Sequence, residues 1–246
     1  MIGQGGWKAF FLDRSWYPLE GKFGIMPMVW ASAAMMLGAV LLAVPLGIAS
    51  AIFIRFYAPK AIAQSYRLML NLLAGIPSVV YGLWGLTVLV PLIARWQQPG
   101  ASLLAAILVL TLMILPTVAL TSFSALAAVP KDILAGAAAL GITRKGQIIS
   151  VALPAARNGI LGGTLLAMAR ALGETMAVLM VSGNVVQYPT GLFEPVRSLT
   201  ANIALEMAYA TDQHRAGLFA SGLLLTLLVL VLAWLAARYQ ERNTYG

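Results

Sequence analysis

Two opposite charges, Arg170 and Glu174, lie inside an otherwise apolar stretch of the chain. In a continuous α-helix, residues four apart share one face, about 6 Å apart along the axis. A charge at mid-bilayer costs about 2.5–3.5 kcal/mol, so such residues face a bundle interior or an aqueous path. A guanidinium fork suits phosphate oxygens. We predict that Arg170 binds an anion in transit and that Glu174 weakens the binding of this anion by Arg170. The alternative is a self-neutralising pair that fixes helix packing.

The composition is that of a chain surrounded mainly by lipid. Of its 246 residues, 61% are hydrophobic and 10% are charged, against about a quarter charged in a soluble domain. The chain has no cysteine and one histidine, His214, which is expected at the surface. No catalytic cluster, metal site or cofactor is therefore predicted. The basic residues stand singly between apolar runs, which argues against nucleic-acid binding.

Five apolar stretches are long enough to cross a bilayer core, which needs about 20 residues of helix. They cover residues 28–54, 68–94, 102–128, 159–181 and 216–237. The sequence therefore predicts an all-α membrane protein of about five transmembrane helices.

The loops between these stretches alternate in charge. One set is strongly basic and contains Arg55, Lys60, Arg67, Lys131, Arg144, Lys145, Arg157, Arg238 and Arg242. The positive-inside rule places this set in the cytoplasm. The predicted organisation is an extracytoplasmic segment 1–27, a transmembrane domain 28–237 with a cytoplasmic loop 129–157 and an outer loop 182–215, and a cytoplasmic tail 238–246.

The predicted location of segment 1–27 raises a question of topology. A hydrophilic segment would have to cross the membrane with no signal peptide ahead of it. We therefore expect a further transmembrane helix upstream of Met1. A five-helix chain with an outside N-terminus is the alternative.

The cytoplasmic loop carries two short amphipathic segments. Their apolar residues are Ile133, Leu134, Ala137 and Leu140 in the first, and Ile148, Ile149 and Val151 in the second. Gly141 predicts a turn between them, and Thr143 caps the second helix. Helices this short are marginal in water on their own, so a cytosolic partner is predicted. An amphipathic loop lying on the membrane is the alternative.

The outer loop 182–215 offers a second candidate for contacts. Residues 196–210 are predicted to form a short helix at the mouth of the bundle. Tyr188, Pro189, Phe193 and Arg197 are candidates for contact with an extracytoplasmic protein or for lining a gate, and an ordinary solvated loop is the alternative.

The spacing from Gly141 to Pro154, in Val151-Ala152-Leu153-Pro154, resembles the EAA loop of ABC-importer permeases. In that family the loop holds a coupling helix that docks into a groove of the ATPase subunit. The family pattern starts with Glu-Ala-Ala, whereas this chain has Ala135-Gly136-Ala137. The resemblance implies a coupling region that lacks the acidic residue of the family pattern. Its positions are Ala135, Gly136, Ala137, Gly141 and Pro154. The chain contains no G-x-x-x-x-G-K-[ST] motif, so ATP would be hydrolysed by a partner chain.

A second resemblance lies in the fourth apolar stretch. Arg170-Ala171-Leu172-Gly173-Glu174 looks like the Arg-Ala-x-Gly-Glu motif of permeases for phosphate, sulfate, molybdate and tungstate. The residues that follow, from Thr175 to Val178 and from Ser182 to Asn184, are similar to the PstC-type subunit of phosphate-specific ABC transporters. Segments 76–86 and 154–160 resemble the same family. The resemblance runs from about residue 20 to the end and implies a type I ABC-importer permease lacking the first of six helices.

The resemblance also implies a function and partners. The chain would import phosphate across the cytoplasmic (inner) membrane of a prokaryote by alternating access, with Arg170, Glu174 and Thr175 along the substrate pathway. Its partners would be a second, PstA-like permease chain, two ATPase subunits, an extracytoplasmic phosphate-binding protein and membrane lipid. Three alternatives stay open: a permease for sulfate, molybdate or phosphonate; a secondary transporter or channel without ATPase partners; and a non-transporting scaffold or sensor.

Overall fold

The computed structural model describes residues 15–241, and most of this range is helical. It starts with a small antiparallel hairpin, β1 (Trp16–Tyr17) and β2 (Lys22–Phe23), in which Trp16 pairs with Phe23. The helices are α1 (Met26–Tyr57), α2 (Lys60–Gly75), α3 (Ser78–Ala94), α4 (Leu103–Ala127), α5 (Lys131–Ala139), α6 (Arg144–Leu172), α7 (Met176–Val181), α8 (Leu199–Glu206) and α9 (Asp212–Glu241).

Over the described residues, α1, α4, α6 and α9 are each long and apolar enough to cross a membrane. The pair α2 and α3 also qualifies, but it is bent by 91° at a short break. Pro77 explains the bend, because proline lacks the N–H that would continue α2 and disfavours a helical residue before it. The predicted all-α membrane fold with about five spans is confirmed. The span predicted over 68–94 corresponds to this bent pair, whose first helix begins earlier, at Lys60.

The chain forms two compact units, each assembled from separate stretches of sequence. The first contains the described residues up to Ala39 together with Ile76–Thr111 and Ala169–Val231. The second contains Val40–Gly75, Leu112–Met168 and the described residues from Leu232 onward. Long helices such as α1 and α4 contribute to both units.

The first unit has a core between the hairpin, the start of α1, α8 and the start of α9. Its buried members are Trp16, Ile25, Met28, Leu199, Ala210 and Leu218. Trp16 packs edge-on against Phe23, with ring centroids 5.6 Å apart. The described part of the predicted segment 1–27 is therefore folded against the bundle, and residues 1–14 lie outside the described range.

The second unit packs the end of α1 against α4 and α6. Ala51, Leu126, Val129, Ala152, Ala156 and Ile160 form its buried cluster. At Gly163 on α6, an added Cβ would lie 2.2 Å from the Thr121 Oγ1 of α4. This close approach of two helices requires the absence of a side chain.

The loop after α4 confirms two of the sequence predictions. Gly141 ends α5 with φ +76, and the backbone N–H groups of Gly141 and Ile142 donate to the carbonyls of Ala138 and Ala137. This is the Schellman pattern that favours glycine. Thr143 Oγ1 then accepts a hydrogen bond from the Gly146 N–H at 3.3 Å and so caps α6.

The second short helix predicted for this loop is instead the beginning of α6. Its residues Gln147–Ala152 are π-helical, and the Leu153 N–H donates to the Ile148 carbonyl, five residues back. Pro154 follows at once. Proline removes a donor and crowds the carbonyl four residues before it, so a local widening lets the helix continue through this position.

Candidate functional site

The apolar stretch that carries Arg170 and Glu174 is broken between them. Helix α6 ends at Leu172 and α7 begins at Met176, so Gly173, Glu174 and Thr175 form a non-helical link. The prediction that Arg170 and Glu174 share one face of a continuous helix over 159–181 is therefore wrong. Glycine is unfavourable inside a helix, and Glu174 finds a better partner at the start of the next helix.

Glu174 caps α7. Its Oε1 accepts a hydrogen bond from the Ala177 N–H at 3.2 Å. The first N–H groups of a helix lack internal partners, and the N-terminal end of the helix dipole favours negative charge. The carboxylate is thus held at a defined position beside the link, and its side chain is half-buried.

Arg170 lies in the last turn of α6, where the helix dipole favours a positive charge. Its side chain is exposed at the surface of the chain. The break therefore puts each charge on the helix end that stabilises it, and the structure gathers Arg170, Glu174 and Thr175 around one short link.

Helix α7 is held against α3 by two glycines. A Cβ at Gly82 would lie 2.9 Å from the Ala177 Cα and 3.3 Å from the Met176 carbonyl. A Cβ at Gly85 would lie 2.8 Å from the Val181 Cγ1. The glycines in segment 76–86 thus permit backbone contact between the two helices.

A contact that the sequence analysis missed reaches the link from α8. The Thr200 hydroxyl donates to the Glu174 carbonyl at 2.7 Å. Ser198 caps α8 by accepting from the Ala201 N–H at 3.0 Å, and the Ser32 Oγ of α1 accepts from the Leu199 N–H at 3.0 Å. The helix predicted over 196–210 is shorter in the structure and covers Leu199–Glu206. The Ser198-Leu199-Thr200 sequence at its start could have indicated the helix cap and a second hydroxyl beside it.

The other end of α8 carries a buried charge network around Glu206. Its carboxylate accepts hydrogen bonds from the Trp16 Nε1 at 2.7 Å, the Arg197 Nη1 at 2.7 Å and the His214 Nε2 at 2.8 Å. His214 is therefore mostly buried, and its predicted surface location is wrong. Arg197 also donates to the Asn184 carbonyl and the Asn202 Oδ1. This network gives Arg197 a structural role within the first unit.

The predicted coupling residues divide into exposed and buried positions. Ala135, Gly136 and Pro154 are exposed, Ala137 is buried, and Gly141 forms the exposed turn. Leu134, one of the apolar residues predicted for α5, packs on the core cluster of the second unit. Ile133 and Leu140 remain exposed, with Leu140 at 82% of its surface.

Comparison with known proteins gives the class of this fold. Two solved structures titled as inward facing conformations of the MetNI methionine ABC transporter align with TM-scores of 0.68 and 0.71 at 18% identity. The first covers 89% of this chain and 95% of that chain, and the second covers 93% and 99%. At this identity the similarity shows the fold, which is that of ABC-importer permeases.

The sequence comparisons identify the family. The family described as "Binding-protein-dependent transport system inner membrane component" matches residues 43–245, and the chain belongs to it. The chain is 40% identical over 239 residues to "Probable ABC transporter permease protein YqgH" of Bacillus subtilis (strain 168), covering 93% of this chain and 77% of that protein. It is 35% identical over 261 residues to "Phosphate transport system permease protein PstC" of Mesorhizobium japonicum, covering 93% and 80%. The predicted family, fold class and inner-membrane location are confirmed.

Proposed function

We propose that this chain is the PstC-type permease subunit of an ATP-driven importer for inorganic phosphate. The observation that carries the proposal is the exposed Arg170 guanidinium beside the link Gly173, Glu174 and Thr175. Relatives named as phosphate transport permeases, at 33–35% identity over more than nine-tenths of this chain, support phosphate as the substrate.

The exposure of Arg170 argues for a shared pathway. A charge that faced lipid would be costly, so this surface lines an aqueous path that another protein closes. We assign that role to a second, PstA-like permease chain. The guanidinium fork binds the oxyanion, Thr175 adds a hydroxyl beside it, and Glu174 limits the strength of the hold. Because the Glu174 carboxylate is bound to the start of α7, its distance from the bound anion depends on the geometry of the link Gly173 to Thr175.

The loop between α4 and α6 supplies the proposed coupling to ATP hydrolysis. Two ATPase subunits bind to the cytoplasmic surfaces of the permease pair, one of them to α5 through its exposed apolar residues Ile133 and Leu140. Exposed Lys131 and Arg144 flank this surface. Ala135 stands where the family has glutamate, so docking here relies on apolar contact and on the turn at Gly141.

The opposite, extracytoplasmic side of the chain is where we place delivery of the substrate. The hairpin and the 182–215 loop face outward, where an extracytoplasmic phosphate-binding protein delivers the anion. Transport then proceeds by alternating access between the two sides of the membrane. A permease for another oxyanion, such as sulfate or molybdate, is the second candidate, because a guanidinium fork fits any tetrahedral oxyanion.

The test is uptake of labelled phosphate by membrane vesicles that contain this chain with its neighbouring ATPase, second permease and binding protein. We expect uptake that requires ATP hydrolysis and is not reduced by excess sulfate or molybdate. Competition by either anion would reassign the substrate. Uptake that persists without the ATPase subunit would contradict the importer assignment itself.

A further inference from the structure

We infer that Thr200 is a positioning residue that holds Glu174 in place from α8. The inference rests on the proposed pathway role of Glu174. The two residues are 26 positions apart in the chain, yet the Thr200 hydroxyl donates to the Glu174 carbonyl at 2.7 Å. Thr200 is 6% exposed, so this hydrogen bond is shielded from water.

The hydrogen bond acts at the point where the backbone leaves the helix. In a continuing helix, the Glu174 carbonyl would accept from a backbone N–H four residues later. The link Gly173 to Thr175 removes that geometry, and the Thr200 hydroxyl supplies a donor in its place. The Glu174 side chain is meanwhile held by the Ala177 N–H. Residue 174 is therefore fixed at both its carbonyl and its carboxylate.

The hydroxyl of Thr200 is itself oriented by a polarised chain of donors. The Ala201 N–H donates to the Ser198 Oγ at 3.0 Å, and the Ser198 and Thr200 oxygens are 2.9 Å apart. A hydroxyl has one hydrogen. Because the Thr200 hydrogen goes to the Glu174 carbonyl, the Ser198 hydrogen must point to the Thr200 oxygen. Such chains strengthen each member.

Helix α8 is anchored well enough to serve as the support for this contact. At its start, the Leu199 N–H is bound to the Ser32 hydroxyl. At its end, Glu206 accepts from Trp16, Arg197 and His214. Because both its ends are anchored, α8 keeps a fixed position relative to the core of the first unit. The Thr200 side chain then fixes the link to α8.

The discriminating variants are Thr200→Val and Thr200→Ser. Valine keeps the shape of threonine but cannot donate, whereas serine keeps the hydroxyl. Thr111→Val is the matched control, because Thr111 is also 6% exposed but its hydroxyl bonds mainly to its own helix, at the Ile107 carbonyl. Maximal phosphate uptake per assembled complex is expected to fall roughly tenfold in Thr200→Val and to stay near the parent value in the other two.

A second readout does not depend on transport. This chain has no cysteine, so Gly173→Cys places a single thiol of this chain beside Glu174, and the unsubstituted complex gives the background labelling. Gly173 tolerates a side chain, because an added Cβ would have its nearest neighbour at 3.5 Å, an ordinary contact. The rate of modification of Cys by a small methanethiosulfonate reagent is measured in the full complex without nucleotide. We expect Thr200→Val to raise this rate several-fold and Thr200→Ser and Thr111→Val to leave it unchanged.

The two readouts separate this inference from the proposed function. If the parent complex takes up no phosphate but Thr200→Val still raises the labelling rate, the positioning role holds and the substrate assignment fails. Equal labelling rates in Thr200→Val and the parent would overturn the inference. So would equal effects of valine and serine, because the hydroxyl would then be irrelevant.

Discussion

The Arg197 guanidinium and the Glu206 carboxylate form an ion pair 2.7 Å long in a largely buried site of the first unit. The same carboxylate also accepts hydrogen bonds from the Trp16 indole and the His214 ring. It joins the hairpin to α8 and α9, which are distant from the hairpin in sequence. Its removal should therefore affect the whole first unit.

We predict that Glu206→Gln lowers the free energy of unfolding by about 3–5 kcal/mol, because it leaves Arg197 with little solvent and without its counter-charge. Thermal unfolding of the purified complex in lipid nanodiscs measures the change. Glu20→Gln is the control: its ion pair with Lys22 is exposed, and such pairs contribute about 0–1 kcal/mol. Equal effects of the two variants would contradict a structural role of the network.

Backbone contact between α3 and α7 leads to a second prediction. Gly82→Ala is expected to destabilise the chain by about 1–3 kcal/mol, because the new Cβ meets the Ala177 backbone at 2.9 Å and the helices must separate. Gly75→Ala is the control, since an added Cβ there meets nothing within 4 Å. Thermal unfolding of both variants would show whether this packing is as tight as the structure indicates. A neutral Gly82→Ala would refute it.

The turn at Gly141 allows a test of coupling with a closely matched pair. At both Gly136 and Gly141 an added Cβ meets nothing within 4 Å, but only Gly141 has a positive φ, at +76. Gly141→Ala should therefore cost about 1–2 kcal/mol of local backbone strain and impair ATP-driven uptake. Gly136→Ala lies inside α5 and introduces the alanine that the family pattern has at this position, so it should not impair uptake. Uptake per copy of assembled complex is the measurement, and equal uptake by the two variants would argue against a role for the turn.

The exposed apolar residue Leu140 tests the proposed ATPase surface. Leu140→Asp should weaken binding of the ATPase subunit by about tenfold or more without destabilising this chain, because the side chain makes little contact within it. Trp96→Asp is the control. Trp96 is also 82% exposed but lies in a loop predicted to be outside the cell. Co-purification of the ATPase with each variant measures the effect, and retention of the subunit by Leu140→Asp would count against docking on α5.

The helices and the caps of the loop were predictable from the sequence because their causes are local. Apolar length indicates a membrane span, and Gly141 and Thr143 carry their turn and cap chemistry in their own residue types. The bend at Pro77 and the π-helical segment before Pro154 have local causes too, but an average over a hydrophobic window does not register them.

The break beside Glu174 and the Glu206 network were not predictable in the same way. An apolar stretch with two charges four apart fits an unbroken helix as well as a broken one, and the choice depends on contacts with α3 and α8. Trp16 and Glu206 are separated by 190 positions. Nothing in either segment alone indicates that a tryptophan, an arginine and a histidine meet at one carboxylate.

The most direct test of the account is phosphate uptake by Arg170→Gln in the assembled transporter. Arg95→Gln is the control, because Arg95 is also exposed but lies in the loop after α3. The account predicts that Arg170→Gln lowers uptake at least about tenfold, through loss of the charged donor fork, with normal amounts of complex in the membrane and unchanged uptake by Arg95→Gln. Uptake by Arg170→Gln equal to that of the parent would contradict a substrate pathway at the α6–α7 link.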